Sequence, residues 1–373
     1  MRHHRLLAVA AAAASLALIT PLQAADAAGS KGPHPRLSEL STNVFAPFNT
    51  FVGGSGIYIA DGGANVVSRL SLDGKTQTPL VTDATGTSGI AKNHKRLAYT
   101  TTVTDDATFT NTASALNIMS PSGTVRADTL AYENANNPDQ VNTYGIAHPT
   151  ACQIEGLGPD AHYTGRIDSH AYSVAAWGNK WVVADAGAND LLLVDNQGNI
   201  STLAVLPPQP TTISAEAAEA LGLDPSCFAG TTYAFEPVPT DVEVGNNGML
   251  YITTLPGGPE GPELGARGSL WRLNPDNGNI KQLATGFAGA TNVAVGKHGR
   301  LYVTELFGGQ ISLVRRGHVS PFVSLPGVVS VERGVDSGHL IAGTLDPTFQ
   351  GPGSIVRIKY FGGPPERVVK FHG

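Results

Sequence analysis

Leu301-Tyr302-Val303-Thr304-Glu305, then Leu306-Phe307-Gly308-Gly309-Gln310, then Ile311-Ser312-Leu313-Val314 and Arg316-Gly317. This stretch reads as an apolar strand ending on an acid, a glycine-bearing reversal, a second strand and a hairpin turn. The first strand recurs as Ile57-Tyr58-Ile59-Ala60-Asp61, Leu97-Ala98-Tyr99-Thr100-Thr101, Trp181-Val182-Val183-Ala184-Asp185, Leu250-Tyr251-Ile252-Thr253-Thr254 and Leu340-Ile341-Ala342-Gly343-Thr344. Second strands follow at 191–194, 269–273 and 354–358, and hairpin turns at Asp73-Gly74, Ser122-Gly123, Gln197-Gly198, Asn277-Gly278 and Gly362-Gly363. A further short strand, as at 200–206 or 280–284, closes most units. One motif repeated over six units predicts an all-β chain, a six-bladed β-propeller of four-stranded blades. Two β-sandwiches are the alternative, but sandwiches do not require the same motif in every unit. The segment 37–42 resembles an outermost strand that would close the ring, and 367–371 competes for that place.

Composition agrees with this reading. The 373 residues carry 24 Lys+Arg against 30 Asp+Glu, a formal net charge of −6, and only 14% are charged. Hydrophobic residues at 41% supply a large core, while 44 glycines and 25 prolines suit many strands joined by tight turns rather than a helical bundle. No basic run exists to neutralise a row of phosphates, which argues against nucleic acid as a partner. Arg2, His3, His4 and Arg5 precede an apolar run at 6–19 and small residues at 24–28. That is the layout of a secretory signal peptide over 1–27, leaving a single domain over 36–373. The run is short for a bilayer span and no cysteine follows it, so a secreted chain without a stable membrane anchor is expected.

The repeat also locates a working face. With strands a to d counted from the axis outward, a–b and c–d turns lie on one face of a propeller, and b–c and d–a connections on the other. The surplus length falls at 100–115, 131–168, 207–240, 254–268 and 343–353, all in the second class, which is where binding usually sits on a rigid scaffold. The insertions 131–168 and 207–240 each hold one cysteine. In an oxidising compartment Cys152 and Cys227 are expected to pair and staple the two insertions into a cap; a reactive thiol, a metal ligand or two unpaired buried cysteines are the alternatives. A short helix is predicted over 214–221, with Ser214 as N-cap and Gly222 at its stop.

Inner-strand starts place Asn49, Ser88, Asp241 and Asn292 near the channel, with His170 and Tyr172 in the third unit and Glu236 just upstream of Asp241. Glu236, Asp241 and Asn292 are hard oxygen donors suited to Ca²⁺ or Mg²⁺; hydrogen-bonded structure at a wet channel mouth is the plain alternative. His170, Glu236 and Asp241 are the candidate catalytic groups, His170 for its near-neutral titration. Tyr172, Asp185, Glu305 and Asn49 are candidate ligand contacts. Asp185-Ala186-Gly187-Ala188-Asn189 echoes Asp61-Gly62-Gly63-Ala64-Asn65, however, which favours acids that close their own loops. Tyr132, Tyr144, Tyr163 and Tyr172 suggest an aromatic ligand surface, or cap packing. No nucleophile elbow, His-Glu-x-x-His, phosphate loop or Cys-x-x-Cys occurs.

Ser169-His170-Ala171-Tyr172-Ser173-Val174, 183–190, 205–210, 235–244, Thr254-Leu255-Pro256-Gly257-Gly258-Pro259-Glu260, Gly265-Ala266-Arg267-Gly268 and Glu305-Leu306-Phe307-Gly308-Gly309 resemble the ScyD/ScyE family. The resemblance is specific from about 152 to 325 and weak elsewhere, and Pro47-Phe48-Asn49-Thr50 departs from the family's first-blade pattern. It implies an exported propeller like those of NHL-repeat and gluconolactonase-type proteins, in a family named for late extracytoplasmic steps of an aromatic pigment pathway. Two functions are therefore carried forward. The first is a secreted binding or scaffold protein that recognises a small-molecule or extracellular partner. The second is a divalent-metal-assisted enzyme acting on lactones or coupling aromatic metabolites.

Overall fold

The protein is described here from a computed structural model, which covers residues 35–336 and 338–360. The leader at 1–27, the turn Gly362-Gly363, the competing strand at 367–371 and the end of the domain expected over 36–373 lie outside the described residues.

The described residues form seven antiparallel four-stranded sheets. Six of them follow the repeat, and their inner strands are Pro47–Gly53, Ile90–Asn93, Ala171–Trp177, Pro239–Val244, Ala290–Val295 and Val328–Arg333. Each inner strand neighbours the next, and Val328–Arg333 returns to Pro47–Gly53, so the sheets stand as blades of a closed β-propeller. We number them 1 to 6 in that order. The sixth is completed by the N-terminal strand Arg36–Val44, which pairs with Gly353–Lys359 through Leu37 opposite Ile358 and Glu39 opposite Val356. Closure from the N-terminal side removes a sheet edge that would otherwise offer unpaired backbone groups.

Packing follows the alternation of each strand. Both faces of a blade meet a neighbouring blade, so the middle strands are apolar on both sides: Gly56–Asp61 is buried throughout. The core is divided into wedges between blades. One holds Trp181, Val183, Leu116 and Ile118 of blades 2 and 3, and another Val44, Ile57, Ile59, Ile341 and Ile355 of blades 6 and 1. Burying each such side chain stabilises the fold by about 1.5–3 kcal/mol.

The seventh sheet is the cap. Its strands run in the order His162–Thr164, Thr143–Gly145, Thr232–Phe235 and Gln209–Thr212, so both insertions contribute to one sheet. Four short helices surround it: α1 (Thr129–Asn136), α2 (Ala151–Leu157), α3 (Ala215–Ala220) and α4 (Pro225–Phe228). Thr150 and Gln153 form a capping box on α2, and Ser214 caps α3 as its sequence predicts. Cys152 on α2 and Cys227 on α4 form a disulfide across 75 residues of chain, with Cα atoms 6.2 Å apart. Gln153 Nε2 reinforces that join by donating to the Cys227 carbonyl and to Thr231 Oγ1, each at 2.9 Å. Ile146, Leu157, Ile213, Phe228, Tyr233 and Phe235 give the cap its own buried core.

Candidate functional site

The inner-strand polar residues converge on the axis, but on one another. Asp241 Oδ1 accepts from Ser173 Oγ of blade 3 at 2.5 Å and from Asn49 Nδ2 of blade 1 at 3.1 Å, while its Oδ2 takes the Val293 amide at 2.9 Å. Asn292 Oδ1 takes the Val331 amide at 2.9 Å, and Ser330 Oγ donates to the Pro47 carbonyl at 2.8 Å. Asp241, Asn292 and Ser330 thus bond the inner strands of blades 3, 4, 5, 6 and 1 in succession, and Asn49 ties blade 1 across the axis to blade 4. Burial lifts the Asp241 carboxyl to about 6, against the pull of its donors. Below this knot Glu243 and Glu332 interact across the channel; burial foremost raises both, Glu332 to about 7.

These bonds bear on the expected metal set of Glu236, Asp241 and Asn292. Asp241 and Asn292 spend their oxygens on protein donors, and Glu236 is not with them. The expected ligand contacts Asp185 and Glu305 are likewise engaged by donors of the protein. Asp185 is fully buried and accepts from Ser169 Oγ, the His170 amide (both 2.6 Å) and the Gly187 and Ala188 amides (both 3.1 Å). Glu305 accepts from the Ala288 amide, Gln310 and Ser312. Asp61 does likewise with Phe45, Ala46 and Ala64. In blades 1, 3 and 5 the acid ending the second strand holds the chain that leads into its own inner strand. His170 packs edge-on against Tyr172 with ring centroids 5.4 Å apart, and Tyr172 in turn meets Phe48 at 6.2 Å. Burial pushes the imidazole down to about 4, so His170 is neutral at pH 7 and does not supply the near-neutral titration expected of it.

Glu236 instead faces a cavity of about 230 Å³ between the cap and the blades. Four of the long connections reach it: Phe109 and Thr110 from the blade 2 hairpin, Leu157 to Asp168 and Ile213 to Glu236 from the insertions, and Gly257 to Leu264 from blade 4. Its apolar walls include Leu157, Ile213, Leu221, Leu223 and Leu264. Tyr163, Tyr233 and Phe235 form an aromatic side, with the last two rings 4.4 Å apart. Two guanidinium groups brace it, Arg166 from within the lining and Arg267 from outside it. Arg166 lies 4.1 Å from the Tyr163 ring centroid and pairs with Asp160 at 2.7 Å; Arg267 lies 4.5 Å from the Phe235 centroid and donates to the Gly257 and Pro259 carbonyls. The half-buried Glu236 carboxyl is raised to about 7, by burial first and by Asp139 and Asp168, with the Tyr163 hydroxyl and Arg166 pulling the other way. A group that changes protonation near neutrality inside an apolar cavity can accept a hydrogen bond from a ligand or exchange a proton with it.

Of the expected site residues, then, Glu236 alone lines this cavity, together with Tyr163 from the tyrosine group. Arg166, Asp160, Tyr233 and Phe235 were not foreseen. Arg166 carried one signal: it is the only Lys or Arg in either insertion. Among the described residues, the one trio of Cys, His, Asp or Glu side chains gathered within metal-binding reach is Cys152, Asp224 and Cys227. Its two sulfurs are joined to each other, which leaves a single carboxylate.

No family model matches the chain, and no curated protein sequence matches it. Solved structures do. A Bacteroides thetaiotaomicron protein of unknown function aligns at 11% identity with a TM-score of 0.51, covering 88% of this chain and 73% of that one. A luciferin-regenerating enzyme aligns at 10% identity and 0.50, covering 88% and 96%. A gluconolactonase from Xanthomonas campestris aligns at 12% identity and 0.49, covering 87% and 89%. At such identities the likeness concerns the fold, and the fold shared is the β-propeller.

Proposed function

We propose that this is an exported binding propeller of the ScyD/ScyE type, whose cap encloses a site for a small aromatic molecule bearing a hydrogen-bond donor, such as a phenol or an indole. The observation that carries the reading is the cavity itself. An aromatic side made by Tyr163, Tyr233 and Phe235 stands beside Glu236, within apolar walls that Asp160, Arg166 and Asp168 interrupt. That is the chemistry of a small-molecule site: mostly apolar lining with few placed polar groups. Export rests on the leader-like residues and accords with the disulfide. Among the described residues no helix is long and apolar enough to cross a membrane.

Ligand-observed NMR with indole and with phenol tests the site. Saturation transfer is expected from the wild type, and it is expected to vanish in Leu223→Trp, which fills the cavity. Absence of transfer in the wild type, or equal transfer in Leu223→Trp, would overturn the assignment.

A second reading rests on Glu236 being poised near neutrality. In a proton-transferring enzyme, for instance one that opens a lactone, Glu236 would act as general base above about pH 7 and as general acid below it. This version needs no ion held by Asp241 and Asn292, whose oxygens are occupied. A lactone or phenolic turnover surviving unchanged in Glu236→Gln would remove it.

A further inference from the structure

A second group of acids lies at the base of the cap, outside the cavity lining although Asp139 disfavours charge on Glu236. Glu133 sits on α1, Asn137 caps that helix, and Asp139 follows in the next turn. Asp190 opens the third strand of blade 3, Asp190–Val194. Asn189 Nδ2 donates to Asp139 Oδ2 at 2.9 Å, which fastens the first insertion to blade 3 at this point. Glu133 is 1% exposed, Asp139 and Asp190 are 0% exposed.

Their acceptors have almost no donors. Both Glu133 oxygens, both Asp190 oxygens, Asp139 Oδ1 and Asn137 Oδ1 are buried without a hydrogen-bond partner. Buried polar atoms are nearly always paired, and a buried unpaired carboxylate costs several kcal/mol. Here six such oxygens occur in one neighbourhood. The carboxylates also act on one another: Asp139, Asp185 and Asp168 disfavour charge on Glu133, and Asp185, Glu133 and Asp139 disfavour it on Asp190. Among the described residues, no Lys or Arg acts on Glu133, Asp139 or Asp190. The two insertions together contain nine acids (Glu133, Asp139, Glu155, Asp160, Asp168, Glu216, Glu219, Asp224 and Glu236) against Arg166 alone, and Arg166 is engaged with Asp160.

A proton shared between two of these carboxyls would appear as a hydrogen bond between them, and none is present. A hard cation meets the demand of all six oxygens together. We propose that Glu133, Asp139 and Asp190, with Asn137 Oδ1, bind a calcium ion that pins the first insertion onto blade 3. Calcium takes six to eight oxygen ligands in adaptable geometry, whereas magnesium requires a near-ideal octahedron and keeps its waters, and zinc prefers nitrogen and sulfur. The three carboxylates do not all lie within 4.8 Å of one another, so binding draws them inward by rotation of their side chains. The site is separate from the cavity, and its failure would leave the binding reading of Glu236 standing.

The test is calcium titration of the full chain after removal of ions with EDTA, followed by calorimetry and by thermal unfolding. One ion per chain is expected, together with a melting temperature that climbs with free calcium as binding to the folded state alone requires. Glu133→Gln and Asp190→Asn keep the side-chain shapes, and circular dichroism in EDTA checks their folding. Each is expected to weaken calcium binding about tenfold or more, since ligand charge sets the affinity of such sites, while Glu236→Gln binds as the wild type does. The proposal is overturned if folded wild type takes up no calcium at about 10 mM, tenfold above the weak end for extracellular calcium modules. It is equally overturned if both variants bind like the wild type, or if only magnesium or zinc binds.

Discussion

Asp185 illustrates how single residues work in this fold. Its carboxylate collects the Ser169 hydroxyl, which also reaches Thr129 Oγ1, and the amides of His170, Gly187 and Ala188, so it stabilises the start of the blade 3 inner strand although burial lifts it to about 6. Removing it leaves the three amides without their acceptor. Asp185→Ala is expected to lower stability by about 2–4 kcal/mol in denaturant unfolding; a loss below about 0.5 kcal/mol would contradict this role. The raised acids also set a pH dependence. Glu133 at about 8, Glu236 and Glu332 at about 7 and Asp241 at about 6 hold protons that the unfolded chain releases near pH 4 to 4.5. The unfolded state therefore binds fewer protons between about pH 4.5 and 8, and stability falls as pH rises through that window. His170, held at about 4 against 6.5, opposes this only below about pH 6.5, where the unfolded chain gains a proton that the folded one refuses. In EDTA the melting temperature is expected to drop from pH 6 to pH 8, and saturating calcium is expected to flatten the drop by keeping Glu133 and Asp190 ionised. A melting temperature that rises over this range in EDTA would contradict the assignment.

Much at this scale was legible and some was not. The Asp-x-Gly-x-Asn repeat at Asp61 and Asp185 points to acids that close their own loops, and both do. Asp241 and Asn292 can be placed at the axis from strand alignment. Their partners cannot, because Asn49 meets Asp241 across 192 residues of chain and only ring closure brings them together. Glu133 and Asp190 left no mark for the same reason: nothing local shows that α1 settles over blade 3.

Among the elements, the cap shows where local pattern runs out. The α3 helix carries an N-cap serine and a terminal glycine, and it forms where those signals place it. The cap strands are three or four residues long, too short for any alternation to register. Their sheet exists because two insertions pair with each other, at Gly145 opposite Ala234, under the constraint of the disulfide. Cys152→Ser with Cys227→Ser is expected to destabilise the cap by about 2–4 kcal/mol. Hydrogen exchange should quicken across 143–164 and 209–235 while the blade strands stay protected; equal quickening throughout the blades would show that the cap is no separate unit. The N-terminal strand tests the opposite case. Deleting 36–44 strips Gly353–Lys359 of its outer partner, leaving only His339–Thr344 beside it, and opens the wedge around Val44, Ile57 and Ile355. Loss of cooperative unfolding or aggregation in size-exclusion chromatography is the expected result.

At the scale of the molecule, the repeat foretold the propeller because every blade solves the same burial problem with the same strand order. It also foretold which face carries the surplus chain, since strand direction alone assigns the connections to a rim. What stayed hidden was the depth at which the chemistry sits. Polar inner-strand residues suggested the channel mouth, yet Asn49, Ser173 and Asp241 tie that mouth together, and the open volume lies outward of it, between cap and blades. A crystal of the protein soaked with indole measures this directly. Electron density is expected for the ring against Tyr163 and Phe235 with its N–H on Glu236; density at the axis beside Asp241 and His170, with the capped cavity empty, would contradict the proposed site.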